Sequence, residues 1–337
     1  MLDDQIAFLR RTAPLIPPLA PDPTPRPFWS VIIPTYERVH FLPQALKSVL
    51  AQDPGPDRMQ IEVMDDCSTS KEVEAVVRQI GGDRITYTRQ ASNVGQFRNV
   101  NEGIRRARGR WLHILHDDDW VMPGFYATLE ASLGMEQVGA PGAALTTINI
   151  HDRQGLLRST WPAQRNGAGV LEDWLIKTAT SVRVQTPAVV VRRDIYEALG
   201  GYNPDFPWPG DWEMWQRIAA HYAWWYEPAA IACYRDHETS VTHTAKRTAS
   251  NMVEIRSVID YAQHYLPSDI APAIRDNARR YWAQFAFRTA RRLIAAGDFE
   301  GGAAQISECL RTDSSPPMVK AVISMADGFK AGSSAPP

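Results

Sequence analysis

Apolar and polar positions alternate between two periods along residues 28–120. Residues 29–33 (WSVII) are almost wholly apolar and rich in β-branched side chains, as in a strand buried on both faces. Residues 41–52 then place apolar side chains at helical spacing. The same reading predicts strands over 61–64, 85–88 and 111–115, with helices over 73–80 and 97–107 between them. Strands alternating with helices imply a parallel sheet with right-handed crossovers, whose ligands bind beyond the carboxyl ends of the strands. Residues 140–240 mix short strands and helices, whereas the pattern from about residue 248 onward is purely helical, with a turn at 295–299. Before residue 28 lie a short amphipathic helix and a proline-rich arm, and residues 331–337 read as a disordered tail.

Polar clusters fall at the predicted strand ends. Pro34, Thr35 and Tyr36 follow the first strand, Asp65 and Asp66 the second, and Asp117, Asp118 and Asp119 the fourth. Three adjacent carboxylates repel one another, so an apolar strand ending in them implies a hard divalent cation such as Mg²⁺ or Mn²⁺. One aspartate could instead cap the next helix. After Asp65 and Asp66, Ser68 and Thr69 are expected to cap a helix, and one of the paired aspartates to accept hydrogen bonds from a nucleobase or ribose. Asp211 opens an apolar helix, where it either complements the helix dipole or takes a proton from an attacking hydroxyl. Trp208, Trp212 and Trp215 are either core or faces on which a sugar stacks. His237 is either structural or a manganese ligand, and Arg235 beside it is suited to neutralising a diphosphate.

Composition narrows the partners. The 337 residues are 44% hydrophobic and 22% charged with a net charge of −2, so no overall field draws nucleic acid or an anionic membrane. Cys67, Cys233 and Cys309 are widely spaced and show no zinc pattern, which points to a reducing cytoplasm. No run of about 18 apolar residues is long enough to span a bilayer, and peripheral attachment stays open.

Six stretches in order carry a family resemblance: SVIIPTYER (30–38), FLPQALKSVLAQ (41–52), IEVMDDCSTS (61–70), residues 93–119 ending LHILHDDD, GGYNPDFPWPGDWEMWQRIA (200–219) and YRDHETSVT (234–242). Together they resemble the inverting family 2 glycosyltransferases with a GT-A type fold. The resemblance implies an α/β catalytic domain over 28–247, after an arm at 1–27 and before a helical region at 248–330. It implies that Pro34, Thr35, Tyr36 and Glu37 contact the donor nucleotide, that Asp66 reads the base, and that Arg98 lines the donor pocket. Asp117–Asp119 resemble the DxD-type motif, with Asp117 and Asp118 toward the nucleotide and Asp117, Asp119 and His237 as metal ligands. Asp211 matches the catalytic base, although Gly210 stands where the family carries glutamate, and Cys67 stands where glycine is common. The implied partners are a UDP-, dTDP- or GDP-sugar and a carbohydrate, lipid-linked or other hydroxyl acceptor, with self-association through the C-terminal helices left open. A sugar nucleotidyltransferase would normally carry a glycine-rich basic loop after the first strand, and residues 34–37 contain no glycine. A non-catalytic sugar-binding scaffold would not need the aspartate triplet and Asp211 together.

Overall fold

A computed structural model describes residues 2–134, 140–237 and 241–333. They separate into two compact units, Met1–Thr178 with Val182–His237, and Ala179–Ser181 with Glu238–Pro337. The second unit therefore begins before the boundary expected after residue 247.

The chain opens with α1 (Leu2–Thr12), β1 (Trp29–Thr35), α2 (Leu42–Leu50), β2 (Met59–Asp65), α3 (Glu72–Gly81), β3 (Thr86–Arg89), α4 (Gln96–Arg106) and β4 (Trp111–Ile114). After β5 (Trp120–Val121), α5 (Phe125–Leu133), β6 (Ala143–His151), β7 (Leu157–Thr160) and β8 (Gly169–Val170) come α6 (Trp174–Thr180), β9 (Val189–Arg192), α7 (Arg193–Leu199), α8 (Gly210–His221) and β10 (Trp224–Arg235). Among the described residues ten strands form one sheet in the order β3-β2-β1-β4-β9-β6-β10-β5, with β7 on β6 and β8 on β10. β3, β2, β1 and β4 run parallel, as the alternating pattern predicts, while β9 and β5 join antiparallel. Every residue of β1 is buried. It lies between two strands, and α4 packs against it so closely that a Cβ on Gly103 would lie 2.6 Å from Ile32.

Register decides which loops meet. Thr35 pairs with Asp65, so the loops after β1 and β2 emerge side by side. Ile32 pairs with Ile114, and continuing that parallel register brings residue 35 level with residue 117. Cys233 pairs antiparallel with Trp120, which carries Arg235 back toward Asp118.

The second unit is helical: α9 (Val241–Thr248), α10 (Ser250–Ala262), α11 (Ala271–Ala295), α12 (Phe299–Thr312) and α13 (Pro316–Ser333). The expected turn joins α11 to α12: Gly297 takes φ 86°, and Asp298 caps α12 by accepting from the Gly301 amide at 3.0 Å. Residues 331–333, expected in a disordered tail, close α13, and residues 334–337 lie outside the described ones. Among the described residues no helix is long and apolar enough to cross a membrane.

Candidate active site

Three loops at the carboxyl end of the parallel strands build the site. The loop after β1 is bound to the loop after β2: the Glu37 amide donates to Ser68 Oγ at 2.9 Å, and Glu37 Oε1 accepts from the Thr69 amide at 2.5 Å. Ser68 also donates its hydroxyl and amide protons to Asp65 Oδ1, at 2.6 and 3.0 Å. Ser68 and Thr69 therefore tie loops together and do not cap the helix. α3 starts only at Glu72, where Ser70 Oγ accepts from the Glu72 amide. Cys67 adopts φ 66°, the left-handed conformation that explains why glycine suits this turn. Asp66 is buried, and its two oxygens accept from the Val94 and Gly95 amides at 2.8 and 2.9 Å. That pins the loop leading into α4. Arg98 follows on the first turn of α4 with its side chain exposed, and Tyr36 is 45% exposed.

The acidic triplet divides its members between two tasks. The Thr35 hydroxyl donates to Asp117 Oδ2 at 2.6 Å, as the β1–β4 register requires. Asp118 Oδ2 accepts from Arg38 Nη1 at 3.2 Å and lies 3.0 Å from His237 Nε2. Asp119 Oδ1 accepts from the Arg235 amide at 2.9 Å, while its Oδ2 is buried without a hydrogen-bond partner among the described residues. The Asp119 amide donates to the His116 carbonyl at 3.1 Å, and this tight turn gathers the side chains. His116, Asp118 and Asp119 each offer a donor atom, all within 4.8 Å of one another. Sequence reasoning nominated Asp117, Asp119 and His237 as ligands. The cluster keeps Asp119 but draws on His116 and Asp118: Asp117 is turned to Thr35, and His237 meets the Asp118 carboxylate.

Burial and neighbouring charges set the protonation of the acidic group. Burial, then the neighbouring Asp118 charge, pushes Asp117 up to about 8. The same two causes raise Asp119 well above the carboxylate range. Burial also opposes the Asp118 anion, but the His237 hydrogen bond and the His116 and Arg38 charges outweigh it and hold Asp118 low. His116 is kept below the ordinary histidine value by burial, against the pull of Asp118 and Asp211.

His116 thus feels the charges of both Asp118 in the triplet and Asp211 at the start of α8. There Asp211 Oδ1 accepts from the Trp212 amide at 2.7 Å and Oδ2 from the Thr186 hydroxyl at 3.3 Å. The helix terminus and burial oppose each other at Asp211, and burial prevails: its pKa is raised. A carboxylate so placed is a better proton acceptor.

Two expectations are corrected. Trp212 and Trp215 are 1% and 2% exposed, with Trp212 Nε1 donating to the Thr178 carbonyl and Trp215 packed edge-on against Tyr202 and Trp224. They are core, and of the three tryptophans only Trp208 keeps exposed surface. Arg235 is 3% exposed, donates to the Asp118 and Arg153 carbonyls and to Gln44 Oε1, and lies over the rings of Phe41 and Trp120. Its guanidinium clamps protein groups and is not presented to a diphosphate. Sequence reasoning missed Arg38, His116 and Thr186. Arg38 and His116 each lie inside a stretch that carries the family resemblance, whereas Thr186 carries no local signal.

Comparison with known proteins agrees with this architecture. The family model described as Glycosyl transferase family 2 matches residues 30–199. An uncharacterized protein, MT1568, of Mycobacterium tuberculosis is 28% identical over 245 residues, which is 70% of this chain and 73% of that one. The GalNAc(5)-diNAcBac-PP-undecaprenol beta-1,3-glucosyltransferase of Campylobacter jejuni is 36% identical over 106 residues, 31% of this chain and 33% of its own length. In fold the chain is similar to S. aureus TarS 1-349 in complex with UDP-GlcNAc, with TM-score 0.57 at 14% identity over 83% of this chain and 90% of that one. It is also similar to the mannosyltransferase PcManGT from Pyrobaculum calidifontis in complex with GDP-Man and Mn2+, with TM-score 0.53 at 16% identity over 96% of this chain and 88% of that one. With the GT-A type sheet and the family match over half its length, this chain belongs to glycosyl transferase family 2.

Proposed function

We propose that the chain transfers a sugar from a nucleoside-diphosphate sugar to an acceptor hydroxyl with inversion, in the synthesis of a polysaccharide, glycolipid or other glycoconjugate. The observation that carries this is an acidic cluster whose buried Asp119 Oδ2 has no hydrogen-bond partner among the described residues, together with a separate raised-pKa carboxylate, Asp211, whose charge reaches His116 of that cluster. His116, Asp118 and Asp119 fit a divalent cation, Mn²⁺ or Mg²⁺, whose charge would offset that of the departing nucleoside diphosphate.

The chain's own groups do the remainder. Thr35, Tyr36, Glu37, Asp66 and Arg98 are the groups offered to the nucleotide; hydrogen bonds lock Glu37 and Asp66 in their loops, and Thr35 holds Asp117. Thr186 and the Trp212 amide orient the Asp211 carboxylate. Asp211 accepts the acceptor hydroxyl's proton as that oxygen attacks the anomeric carbon from the face opposite the leaving group. The donor complexes of TarS and PcManGT, with UDP-GlcNAc and with GDP-Man and Mn2+, support this donor class and the cation. The Campylobacter relative supports a lipid-linked saccharide as one acceptor class. Three free thiols fit a reducing, cytoplasmic setting.

The test is Asp211→Asn, assayed for nucleoside diphosphate release and product formation across UDP-, dTDP- and GDP-sugars with candidate acceptors. Transfer is expected to fall by about 10²–10⁴-fold while nucleotide binding is retained. Transfer at the unsubstituted rate would remove Asp211 as the base.

A further inference from the structure

We propose that His116 supplies a nitrogen ligand that makes this site prefer first-row transition dications, Mn²⁺ and Co²⁺, over Mg²⁺. The inference deepens the function proposed above and rests on it for the presence of a cation.

The cluster is not built of oxygen alone. His116 brings an imidazole within 4.8 Å of the donor oxygens of Asp118 and Asp119. The protein has already assigned one oxygen of each carboxylate. Asp118 Oδ2 faces Arg38 and His237, and Asp119 Oδ1 takes the Arg235 amide. Asp119 Oδ2 is left buried without a hydrogen-bond partner among the described residues, an acceptor that a cation would satisfy. Partners holding the outer oxygens of ligating carboxylates fix the direction of the inner ones. His237 is such a partner, since its Nε2 is directed at the Asp118 oxygen facing Arg38.

Selectivity follows from ligand type. Mg²⁺ is small, dehydrates reluctantly and takes oxygen ligands in near-ideal octahedral geometry. A fixed imidazole among two carboxylates costs Mg²⁺ an oxygen, whereas divalent transition ions gain by nitrogen coordination in the order Mn²⁺, Fe²⁺, Co²⁺. A carboxylate at residue 116 would give an all-oxygen set and narrow the preference.

The experiment is Mn²⁺ binding to the full chain, with and without UDP, followed by electron spin echo modulation and by Mg²⁺ competition. The expected result is a ¹⁴N modulation typical of imidazole that converts on [¹⁵N]histidine labelling and survives in His237→Gln. It is lost in His116→Asp, where the Mn²⁺-over-Mg²⁺ affinity ratio falls about tenfold. The labelled chain and His237→Gln together assign the nitrogen to a histidine other than His237 even if His116→Asp does not fold. Bound Mn²⁺ without nitrogen modulation, or modulation lost in His237→Gln, overturns the role of His116 and leaves the cation site standing. No Mn²⁺ binding under any condition overturns both.

Discussion

A Cβ on residue 210 would lie 2.3 Å from the ring of Phe97, and that ring is stacked on Tyr202 with centroids 5.1 Å apart. Both aromatics are buried, so neither can swing aside cheaply. The glycine that departs from the family's glutamate is therefore a packing solution: Phe97 fills the space a side chain would need. Gly210→Glu is expected to lower stability by about 1–3 kcal/mol through overpacking, and to reduce transfer because it shifts the turn that aims Asp211. Denaturant midpoints and initial rates measured together check this, and a variant as stable and active as the parent contradicts it. His113 gives a second residue-scale prediction. It is fully buried on β4, with one ring nitrogen 3.0 Å from Tyr126 Oη and the other 3.0 Å from the Pro187 carbonyl, and burial depresses its pKa to about 4. In the unfolded chain histidine titrates near 6.5. At neutral pH both states are uncharged and His113 contributes nothing to the pH dependence. Between about pH 6.5 and 4 only the unfolded chain takes the proton, so stability falls with pH, by about 3 kcal/mol at the limit. The raised carboxylates Asp117 and Asp211 act with the opposite sign, so the His113 share is the difference in slope between the parent and His113→Gln. Identical slopes would refute it.

Among elements, the last residues of β10 do most to close the site. The antiparallel pairing of β10 with β5 delivers Arg235 to the triplet, where its amide holds Asp119 and its side chain holds the Asp118 carbonyl, the Arg153 carbonyl and Gln44 of α2. Arg235→Met keeps the stem and the aromatic contacts but strands those acceptors. A loss of about 3 kcal/mol is expected, together with weaker donor binding, because the Asp118–Asp119 turn loses its support. Thermal unfolding and nucleotide titration measure the two effects, and weaker donor binding with unchanged stability would restore a direct diphosphate contact. This clamp also marks where sequence reasoning stops. The β1–β4 half was legible because strands buried on both faces leave continuous apolar runs and their loops carry unmistakable acidic clusters. Which aspartate turns inward was not, because it depends on register between strands far apart in sequence. Thr35 selects Asp117 only through the β1–β4 pairing, and Thr186 reaches Asp211 only through the folded chain. Trp212 and Trp215 read alike as core or as sugar platforms, since an aromatic at a helix start carries no mark of its exposure. Arg235 was misjudged for a related reason: a lone arginine beside an acidic cluster looks available until its acceptors are located.

For the whole molecule, a net charge of −2 supplies no general attraction for an anionic donor, so affinity must be made locally. Locally the chain offers carboxylates. Burial, reinforced by the neighbouring Asp118 charge, holds Asp117 and Asp119 toward the protonated form, and a diphosphate brought alone to this turn meets the remaining negative charge of Asp118. A divalent cation reverses the sign: it releases the carboxylates' protons, satisfies Asp119 Oδ2 and turns repulsion of the diphosphate into attraction. Cation and nucleotide should therefore bind with positive coupling, each raising the other's affinity by the same factor, typically 5–150-fold or about 1–3 kcal/mol. Ligands that bind only the folded chain raise its melting temperature in proportion to occupancy. The melting shift given by UDP, dTDP or GDP with Mn²⁺ should exceed the sum of the shifts given by nucleotide alone and Mn²⁺ alone, and EDTA should abolish the excess. Asp119→Asn, which retains the shape but withdraws the charge beside the unpartnered oxygen, should lose the excess while still unfolding cooperatively. Shifts that merely add, or a nucleotide shift of equal size with EDTA present, would mean that the diphosphate is held without a cation and that the triplet serves another purpose.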